Sequence, residues 1–435
     1  MQTKKFTGPD VKKVPLVNFL TGQPSADLLP SSLFANASKK LFEIPGTEDA
    51  VLNYAPSLGS PDFLKNLANF LSEEYHTPVY KEHLCATPGA SLALEHILAL
   101  LTRPQTSTKF AIFQDPTYHL VYDIYRNVGF KDDQFIGIPE VIDGSGLDTK
   151  VLGKFLAKSL PLADPKTKDV EDYAAVLYCV PTHANPSSST LSSPRRKELV
   201  DLAHRYNVLV LCDDVYDILT YEGSTPRRLV AYDLDIPGKA VVVSNCSFSK
   251  ILAPGARAGW IEAKPCLIER VGVCGSFHSG GSPSNLACQI INIMLDTKDP
   301  NLCLHRHIHT LRDLLAKRLW IGLWEPIQKL LVPLGCLAVR PKGGYFVWLK
   351  LPLGVSYAQL VKTIVDNKIQ ISLGSGSLFG VPIKNENRLW ESDTDRYVRL
   401  CFARYSVNDL QVGISRLEAA LNLALNAISK RSIKN

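Results

Sequence analysis

The chain has 435 residues, of which 46% are hydrophobic and 21% charged, a balance that supplies a sizeable core and excludes wholesale disorder. Its 48 lysines and arginines against 42 aspartates and glutamates give a net charge of +6, spread along the whole length. The longest basic cluster, Arg195-Arg196-Lys197, is too short for a nucleic-acid surface and indicates a solvated helix instead.

No run of 18 or more apolar residues occurs, so no segment is expected to span a membrane. The first 14 residues are polar, without the apolar core of a secretory signal or the arginine content of a mitochondrial presequence, which predicts a cytoplasmic protein. The ten cysteines form no C-x-x-C pair, and many lie in apolar runs. They are therefore expected to be reduced core thiols rather than disulfides or zinc ligands.

The order of predicted elements indicates a mostly parallel sheet. Residues 1–55 are rich in turn formers and are expected to be irregular. Five short apolar runs then predict strands at residues 110–114, 174–180, 208–212, 240–245 and 258–262. Helical patterns separate several of them, such as residues 194–206, which begin with Pro194. Strands that alternate with helices, and that are apolar throughout, predict an α/β sheet covered on both faces.

The pattern changes after about residue 266. A long helical stretch over residues 282–324 is followed by strands at 336–339, 345–349, 370–373 and 397–402, with a helix from residue 357 and a last helix over 408–428. This predicts a smaller α+β domain. The division expected is an N-terminal arm and part of the small domain over 1–55, a large domain over 56–300 and the rest of the small domain over 301–435.

Polar residues follow three neighbouring strands of the predicted sheet. Asn185-Pro186 follows the second strand, Asp213 and Tyr216 follow the third, and Ser247-Phe248-Ser249-Lys250 follows the fourth, with Arg257 seven residues later. Ligands of open α/β sheets bind beyond the carboxyl ends of the strands, so these side chains are expected to converge. Each alone has an ordinary structural explanation, but together they indicate a site.

A lysine, an acid and an anion cradle are what pyridoxal phosphate requires, since the lysine binds it covalently and the acid holds a proton on its ring nitrogen. A carboxylate and a pyridinium ~4 Å apart attract by about 4 kcal/mol at an effective dielectric of ~20, against about 1 in water. Asp213 could supply that charge from a strand end. Residues 87–91 precede a predicted helix over 92–101, whose first amides could bind the phosphate.

With these motifs in place, the chain resembles the fold-type I pyridoxal-phosphate enzymes, and within them the class I/II aminotransferases closest to the 2-aminoadipate, kynurenine and aromatic aminotransferase group. The resemblance covers about residues 18–424, and Ser247-Phe248-Ser249-Lys250 with Arg257 is its most specific part. It implies a seven-stranded, mostly parallel sheet between helices and a small α+β domain. It also implies a homodimer with active sites at the subunit interface, an amino acid and a 2-oxo acid as substrates, and no metal.

The resemblance also implies a role for each matching residue. Lys250 matches the catalytic Schiff-base lysine, Asp213 the acid at the ring nitrogen, and Arg399 the arginine that binds the substrate α-carboxylate. The other matches are the donors to the ring oxygen (Asn185 and Tyr216), the stacking aromatic (Tyr118), the phosphate contacts (Ala90, Ser91, Ser247, Ser249 and Arg257), a tyrosine that reaches the phosphate from the partner subunit (Tyr54), the N-terminal substrate loop (Gly22) and the glycine-led strand (Gly343-Gly344-Tyr345-Phe346).

Three departures from the family pattern bear on the substrate. The usual Asn-Pro-Thr-Gly turn reads Asn185-Pro186-Ser187-Ser188, so the loop is expected to bend differently. His183 stands where a smaller residue is usual, and a passive role is favoured over substrate contact. No arginine precedes Arg103, so the N-terminal loop has none for a second carboxylate, although Lys39 or Lys40 could serve. The substrate side chain is therefore expected to be aromatic or apolar.

Several alternatives compete with this interpretation. Ser247-x-x-Lys250 fits the S-x-x-K motif of penicillin-recognising enzymes, but the S-D-N and K-T-G that they need are absent from the sequence. His305 and His309 share a helix face as in zinc peptidases, without the intervening glutamate. A carbon–sulfur β-lyase acting on cysteine conjugates would use the same residues as an aminotransferase, and a non-catalytic pyridoxal-phosphate-binding regulator is a further possibility.

Overall fold

A computed structural model of the chain describes residues 15–164, 173–383, 389–390 and 393–432. The polar start over residues 1–14, on which the cytoplasmic prediction partly rests, lies outside these ranges. Within them, no helix is long and apolar enough to cross a membrane. All ten cysteines are free thiols, and most of them are buried.

The centre of the molecule is a seven-stranded sheet. The strands are β2 (Leu84–Thr87), β3 (Phe110–Asp115), β4 (Phe135–Pro139), β5 (Ala175–Cys179), β6 (Val208–Asp213), β7 (Val242–Ser247) and β8 (Gly259–Glu262). They lie in the order β2-β8-β7-β6-β5-β3-β4. Six of them run in one direction, and β8 is antiparallel to both of its neighbours. The five strands predicted in this region are all present, whereas β2 and β4 were not predicted. The seven-stranded, mostly parallel sheet is confirmed.

Helices accompany this sheet, and their apolar residues join one continuous core with the strands. The prediction that residues 1–55 are irregular is wrong, since α1 and α2 lie there and bury Leu33, Ala37 and Val51. The helices up to residue 295 are α1 (Ser31–Phe42), α2 (Thr47–Leu52), α3 (Pro61–Tyr75), α4 (Ala90–Leu101), α5 (Val121–Asn127), α6 (Thr149–Ser159), α7 (Ser193–Tyr206), α8 (Leu229–Leu234), α9 (Pro265–Gly272), α10 (Gly275–Gly280) and α11 (Asn285–Leu295).

A second, four-stranded sheet has the order β12-β13-β10-β9 and is antiparallel. Its strands are β9 (Leu337–Ala338), β10 (Phe346–Lys350), β12 (Gly374–Ser375) and β13 (Tyr397–Cys401). A two-stranded parallel pair joins β1 (Val17–Asn18) to β11 (Ile371–Ser372), so the N-terminal segment lies beside this part of the chain. The helices here are α12 (Leu304–Lys317), which continues with π-helical geometry over Arg318–Trp324 and Ile327–Leu331, α13 (Tyr357–Asp366) and α14 (Val407–Ser432).

Candidate active site

The residues predicted at the strand ends meet around Lys250, which follows β7. Its Nζ donates to the carbonyl of Gly22 at 3.2 Å and lies 5.8 Å from the ring centroid of Tyr216 and 5.5 Å from that of Tyr345. The Tyr345 hydroxyl donates to the Lys250 carbonyl at 2.9 Å and so fixes the lysine's backbone. Burial lowers the pKa of the amine below its ordinary value, which favours the neutral, nucleophilic form.

Asp213 ends β6, and its two carboxylate oxygens have different environments. Oδ2 accepts a hydrogen bond of 2.6 Å from the hydroxyl of Tyr178 on β5. Oδ1 is buried and has no hydrogen-bond partner among the residues that the structure describes. Burial raises the pKa of this carboxyl to about 6, and the charge of Asp214 acts in the same direction. The hydrogen bond from Tyr178 and the charge of Lys250 act to lower the pKa. A buried acceptor without a donor indicates a place for a donor from a ligand.

The start of α4 and the turn after β7 form a small anion cradle. Gly89 precedes α4 with a φ of +87°, and a Cβ there would lie 2.9 Å from Nη2 of Arg257. Glycine is therefore required for the guanidinium to approach the helix N-terminus. Ala90 and Ser91 are the first residues of α4, and the hydroxyls of Ser247 and Ser249 are 2.8 Å apart at the end of β7. Free amides, hydroxyls and a guanidinium at one helix end suit a phosphate.

Two tyrosines complete the wall beside Lys250 and Asp213. The Tyr216 ring is buried, with centroids 5.5 Å from Tyr345 and 6.0 Å from Phe346, and burial raises its pKa well above the ordinary value. Its phenol therefore stays protonated and can donate a hydrogen bond. Burial, followed by the charge of Asp213, also raises the pKa of the half-buried Tyr118.

Arg399 lies on β13 and is buried between aromatic rings and polar acceptors. Its Nη1 donates to Asn185 Oδ1 at 2.7 Å, and its Nη2 donates to the carbonyl of Leu20 at 2.6 Å. Its guanidinium carbon is 4.2 Å from the ring centroid of Phe346 and 4.6 Å from that of Phe379. With its oxygen occupied, the Asn185 amide presents its NH₂ group as a donor. The structure thus brings the asparagine and the arginine into direct contact.

The turn that carries Asn185 contains a serine in a backbone conformation that glycine adopts more readily. Ser188 adopts a φ of +61°, in the left-handed region, and its hydroxyl donates to the carbonyl of Phe346. Ser187 and Ser189 donate to Glu140 Oε1 at 2.7 and 2.9 Å. The hydrogen bonds hold a backbone conformation that serine seldom adopts, and the expectation that this loop bends differently from the family's usual turn stays a prediction.

Other sequence candidates lie at the margin of this site or away from it. His183 is buried, bonds Thr220 Oγ1 through Nε2 at 2.9 Å and packs against Gly343, where a Cβ would lie 2.3 Å from Nε2. This placement fits the passive role. Tyr54 is 83% exposed, so its side chain is not part of its own chain's site. His305 pairs with Glu73 and Glu74, and Lys39 pairs with Glu43 on the surface.

Two contacts were missed by sequence reasoning. Tyr178 lies inside an apolar strand and pairs in register with Leu211, two residues before Asp213. Its hydroxyl was the only signal of this contact that the sequence offered. Phe379 lies in a short turn at Gly376–Phe379 with no periodic pattern, and nothing in the sequence around it indicated that its ring would stack on Arg399.

The arrangement fits pyridoxal phosphate on the chain's own geometry. The unpartnered Asp213 Oδ1 suits the ring nitrogen, the cradle at α4 suits the phosphate, and Lys250 follows the same strand, β7, that supplies Ser247 to the cradle. When bound, the cofactor supplies a ring that accepts electrons from the α-carbon of an amino acid. The protein contributes the amine of Lys250, the acid Asp213 and the buried guanidinium of Arg399.

Comparison with known proteins agrees with this fit. The family model for aminotransferase class I and II matches residues 14–417. An uncharacterized protein of Saccharomyces cerevisiae is 31% identical over 92% of this chain and 95% of its own length. Aromatic-amino-acid aminotransferase 1 of Thermococcus litoralis is 26% identical over 86% of this chain and 83% of its own.

Solved structures share the fold at lower identity. The α-aminoadipate aminotransferase LysN of Thermus thermophilus has a TM-score of 0.74 and 22% identity, over 95% of this chain and 93% of its own. A kynurenine aminotransferase of Pyrococcus horikoshii has a TM-score of 0.77 and 24% identity, over 95% of this chain and 92% of its own. The chain belongs to the class I and II aminotransferases, and it is a pyridoxal-phosphate-dependent transaminase of fold type I.

Proposed function

We propose that this aminotransferase takes its amino group from an aromatic or 2-aminoadipate-like amino acid and passes it to a 2-oxo acid. The aromatic preference rests on one observation: the rings of Phe346 and Phe379 flank Arg399, with their centroids 4.2 and 4.6 Å from the guanidinium carbon. A substrate carboxylate bound at this guanidinium would place its side chain beside apolar surface. The absence of any arginine before Arg103 supports the same preference.

The proposed roles of the residues follow from their contacts. Arg399 binds the α-carboxylate through a planar fork, and its bonds to Asn185 and Leu20 orient that fork. Lys250, whose amine has a lowered pKa, takes the proton from the α-carbon of the amino acid and would pass it to the cofactor. Asp213 holds a proton on the ring nitrogen through Oδ1, and Tyr216 and Asn185 donate to the ring oxygen. Tyr118 stacks on the ring.

The phosphate contacts are assigned to the cradle at α4, namely Ala90, Ser91, Ser247, Ser249 and Arg257. Asn245 supports it, because its Nδ2 donates to the carbonyl of Ala90 at 2.8 Å and joins β7 to α4. Gly22 is assigned to the substrate loop, since a Cβ there would lie 3.0 Å from the Phe346 ring and 3.7 Å from Arg399 Nη2. A side chain at this position would crowd the carboxylate site.

We also propose that the protein acts as a homodimer in the cytoplasm. Tyr54 is 83% exposed and Leu52 67% exposed, and a second subunit would cover them and bring Tyr54 to the partner's phosphate site. Ten free thiols favour a reducing compartment. The mass measured by light scattering tests the dimer. Tyr54→Phe tests the contact across the interface, and it should lower the affinity for the cofactor. Microscopy of the tagged protein tests the location.

A panel of amino acids tests the substrate. The cofactor-loaded enzyme is mixed with one amino acid at a time, without oxo acid, and the visible absorbance of the lysine-bound cofactor is followed. Tyrosine, phenylalanine, kynurenine and 2-aminoadipate should convert it to the amino form faster than aspartate does. Faster conversion by aspartate than by all four would refute the proposed preference.

The same samples separate the alternative functions. A carbon–sulfur β-lyase would release pyruvate and ammonia from a cysteine conjugate, whereas a transaminase returns the oxo acid of the donor. A regulator would bind the amino acid without multiple turnovers when an oxo acid is added. Stoichiometric exchange of amino and oxo acids over many turnovers is the result expected here.

A further inference from the structure

Tyr178 and Asp213 form a hydrogen bond between neighbouring strands directly behind the cofactor site. Tyr178 is on β5 and faces Leu211 of β6 in the parallel register, so Asp213 comes two residues further along β6. The phenol donates to Asp213 Oδ2 at 2.6 Å, and the Tyr178 side chain is only 2% exposed. Among the described residues, no other side chain donates to this carboxylate, and Oδ1 is left without a partner.

We propose that Tyr178 is a positioning residue for the cofactor's ring nitrogen: its hydroxyl occupies Oδ2, leaves Oδ1 as the one oxygen that faces the ring, and keeps the shared proton on the ring nitrogen rather than on Asp213. The inference rests on the role of Asp213 given under the proposed function. It adds a residue that touches neither the substrate nor the cofactor and acts through the carboxylate.

The position of the proton depends on which of the two groups is the stronger base. Burial raises the pKa of Asp213 to about 6, and the negative charge of Asp214 raises it as well. A carboxylate made more basic in this way competes with a pyridine nitrogen for the proton. The bond from Tyr178 opposes that change, because a donor stabilises the charged form of the acid.

The other groups that face Asp213 do not replace this bond. Lys250 acts on the carboxylate through its charge alone, and that charge is lost when the amine becomes neutral to take part in the reaction. Tyr118 lies near enough for the charge of Asp213 to raise its pKa, but it makes no hydrogen bond to it in the described structure. Burial and Asp213 keep the pKa of Tyr178 well above its ordinary value, so Tyr178 remains a donor.

The chain offers a matched control for removal of this hydroxyl. Tyr125 is also buried, its ring centroid is 4.8 Å from that of Phe113, and Tyr178 contacts the same phenylalanine at 6.5 Å. The Tyr125 hydroxyl has no hydrogen-bond partner among the described residues. Tyr178→Phe and Tyr125→Phe therefore remove the same atom from the same aromatic cluster, and only the first removes a bond to Asp213.

The test compares Tyr178→Phe, Tyr125→Phe and Asp213→Asn by two measurements that do not depend on turnover. The first is the affinity of the apoenzyme for pyridoxamine phosphate, which cannot bond covalently to Lys250. The second is the protonation of the ring nitrogen, followed by NMR of a cofactor labelled at that atom. Tyr178→Phe should weaken binding about 3- to 10-fold, the range of one hydrogen bond, and move the nitrogen signal toward the unprotonated form.

The three variants distinguish the possible failures. Equal behaviour of Tyr178→Phe and Tyr125→Phe in both measurements overturns the proposal for Tyr178, provided that Asp213→Asn shifts the nitrogen signal. An unchanged signal in Asp213→Asn overturns instead the assignment of Asp213 on which the proposal rests. Circular dichroism of each apoenzyme verifies that the variants are folded, which is expected since phenylalanine retains the ring.

Discussion

The cofactor end and the carboxylate end of the active site are built in different ways. The cofactor end consists of residues that leave adjacent strands of one sheet, with Asp213 at the end of β6 and Ser247 at the end of β7. The carboxylate end consists of Arg399 in the four-stranded sheet, held by Asn185, Leu20 and two aromatic rings from separate segments. One end depends on a single sheet, and the other on the assembly of several segments.

This difference predicts how each end responds to change. Strand ends are fixed by the hydrogen bonds and burial of the whole sheet, so single substitutions there should alter chemistry without moving neighbours. The fork of Arg399 is oriented by several separate contacts, so removal of any one of them should weaken substrate binding only in part.

Lys250→Ala should have the largest effect, because it removes the amine that we propose to hold the cofactor and to move the α-proton. Loss of a general acid–base group alone costs about 10²–10⁴-fold in rate. The phosphate cradle does not contain Lys250, so the variant should still bind pyridoxamine phosphate with near-normal affinity. Steady-state kinetics and equilibrium binding measure the two effects. Retention of normal turnover would contradict the assigned role.

Arg399→Ala should raise KM for every α-amino acid, because the contact that we propose for Arg399 is to the carboxylate that all of them share. A hydrogen bond to a charged group contributes about 1.5–3 kcal/mol, or roughly 10- to 150-fold in kcat/KM. Arg399→Lys keeps the charge but loses the planar fork, so it should recover only part of the loss. An increase confined to one amino acid would argue against a carboxylate site.

The affinity of the apoenzyme for pyridoxamine phosphate should fall as the pH is lowered through about 6. Burial raises the pKa of Asp213 to about 6, so its carboxyl is charged above that pH and neutral below it. The attraction for a protonated ring nitrogen is therefore present at higher pH and lost on acidification, by about tenfold or more for one charged hydrogen bond. Asp213→Asn is the control, since it removes the Asp213 carboxyl and retains the titration of the ligand's own groups. An identical pH profile in the variant would exclude Asp213 as the titrating group.

The same contrast explains how much the sequence could predict. Asp213, Ser247 and Lys250 were located from apolar runs and the polar residues that follow them, because strand ends of a parallel sheet meet at one edge. Arg399 was located only through its resemblance to a family motif. Phe379 was not found at all, since a ring in an irregular turn contacts an arginine 20 positions away only after the chain has folded.

Local composition also led to a wrong prediction for the N-terminal segment, for a similar reason. The turn-rich residues 1–55 were expected to be irregular, yet α1 buries Leu33, Ala37 and Leu41 on one side. No side chain caps the N-terminus of α1, so its local signals are weak. Packing against α11, more than 200 residues away in the sequence, stabilises the helix instead. Tertiary burial of one helix face thus outweighed the local turn signal.

Phe379→Leu should raise KM moderately while leaving kcat nearly unchanged, because it removes one aromatic face from Arg399 and leaves the guanidinium in place. A cation–π contact contributes about 0.5–2 kcal/mol, which corresponds to roughly 2- to 30-fold. Phe155→Leu is a suitable control, since its ring pairs with Phe110 and not with Arg399. A fall in kcat at constant KM would place Phe379 in the chemical step instead.

Ser188 connects the two ends, and variants of it should have the smallest effects. Its turn carries Asn185, and its hydroxyl donates to the carbonyl of Phe346, whose ring packs on Arg399. Ser188→Gly and Ser188→Ala both lose this bond, but only glycine adopts a φ of +61° without strain. Strain in the left-handed region costs about 1–2 kcal/mol, and the flexibility of glycine in the unfolded chain offsets about 0.5–1 kcal/mol of it.

The midpoint of urea unfolding should therefore be higher for Ser188→Gly than for Ser188→Ala, with KM raised slightly and equally in both. Equal midpoints would mean that the turn relaxes around alanine, and a KM that rises only in the alanine variant would mean that backbone strain, rather than the hydroxyl, couples the cofactor end to the carboxylate end.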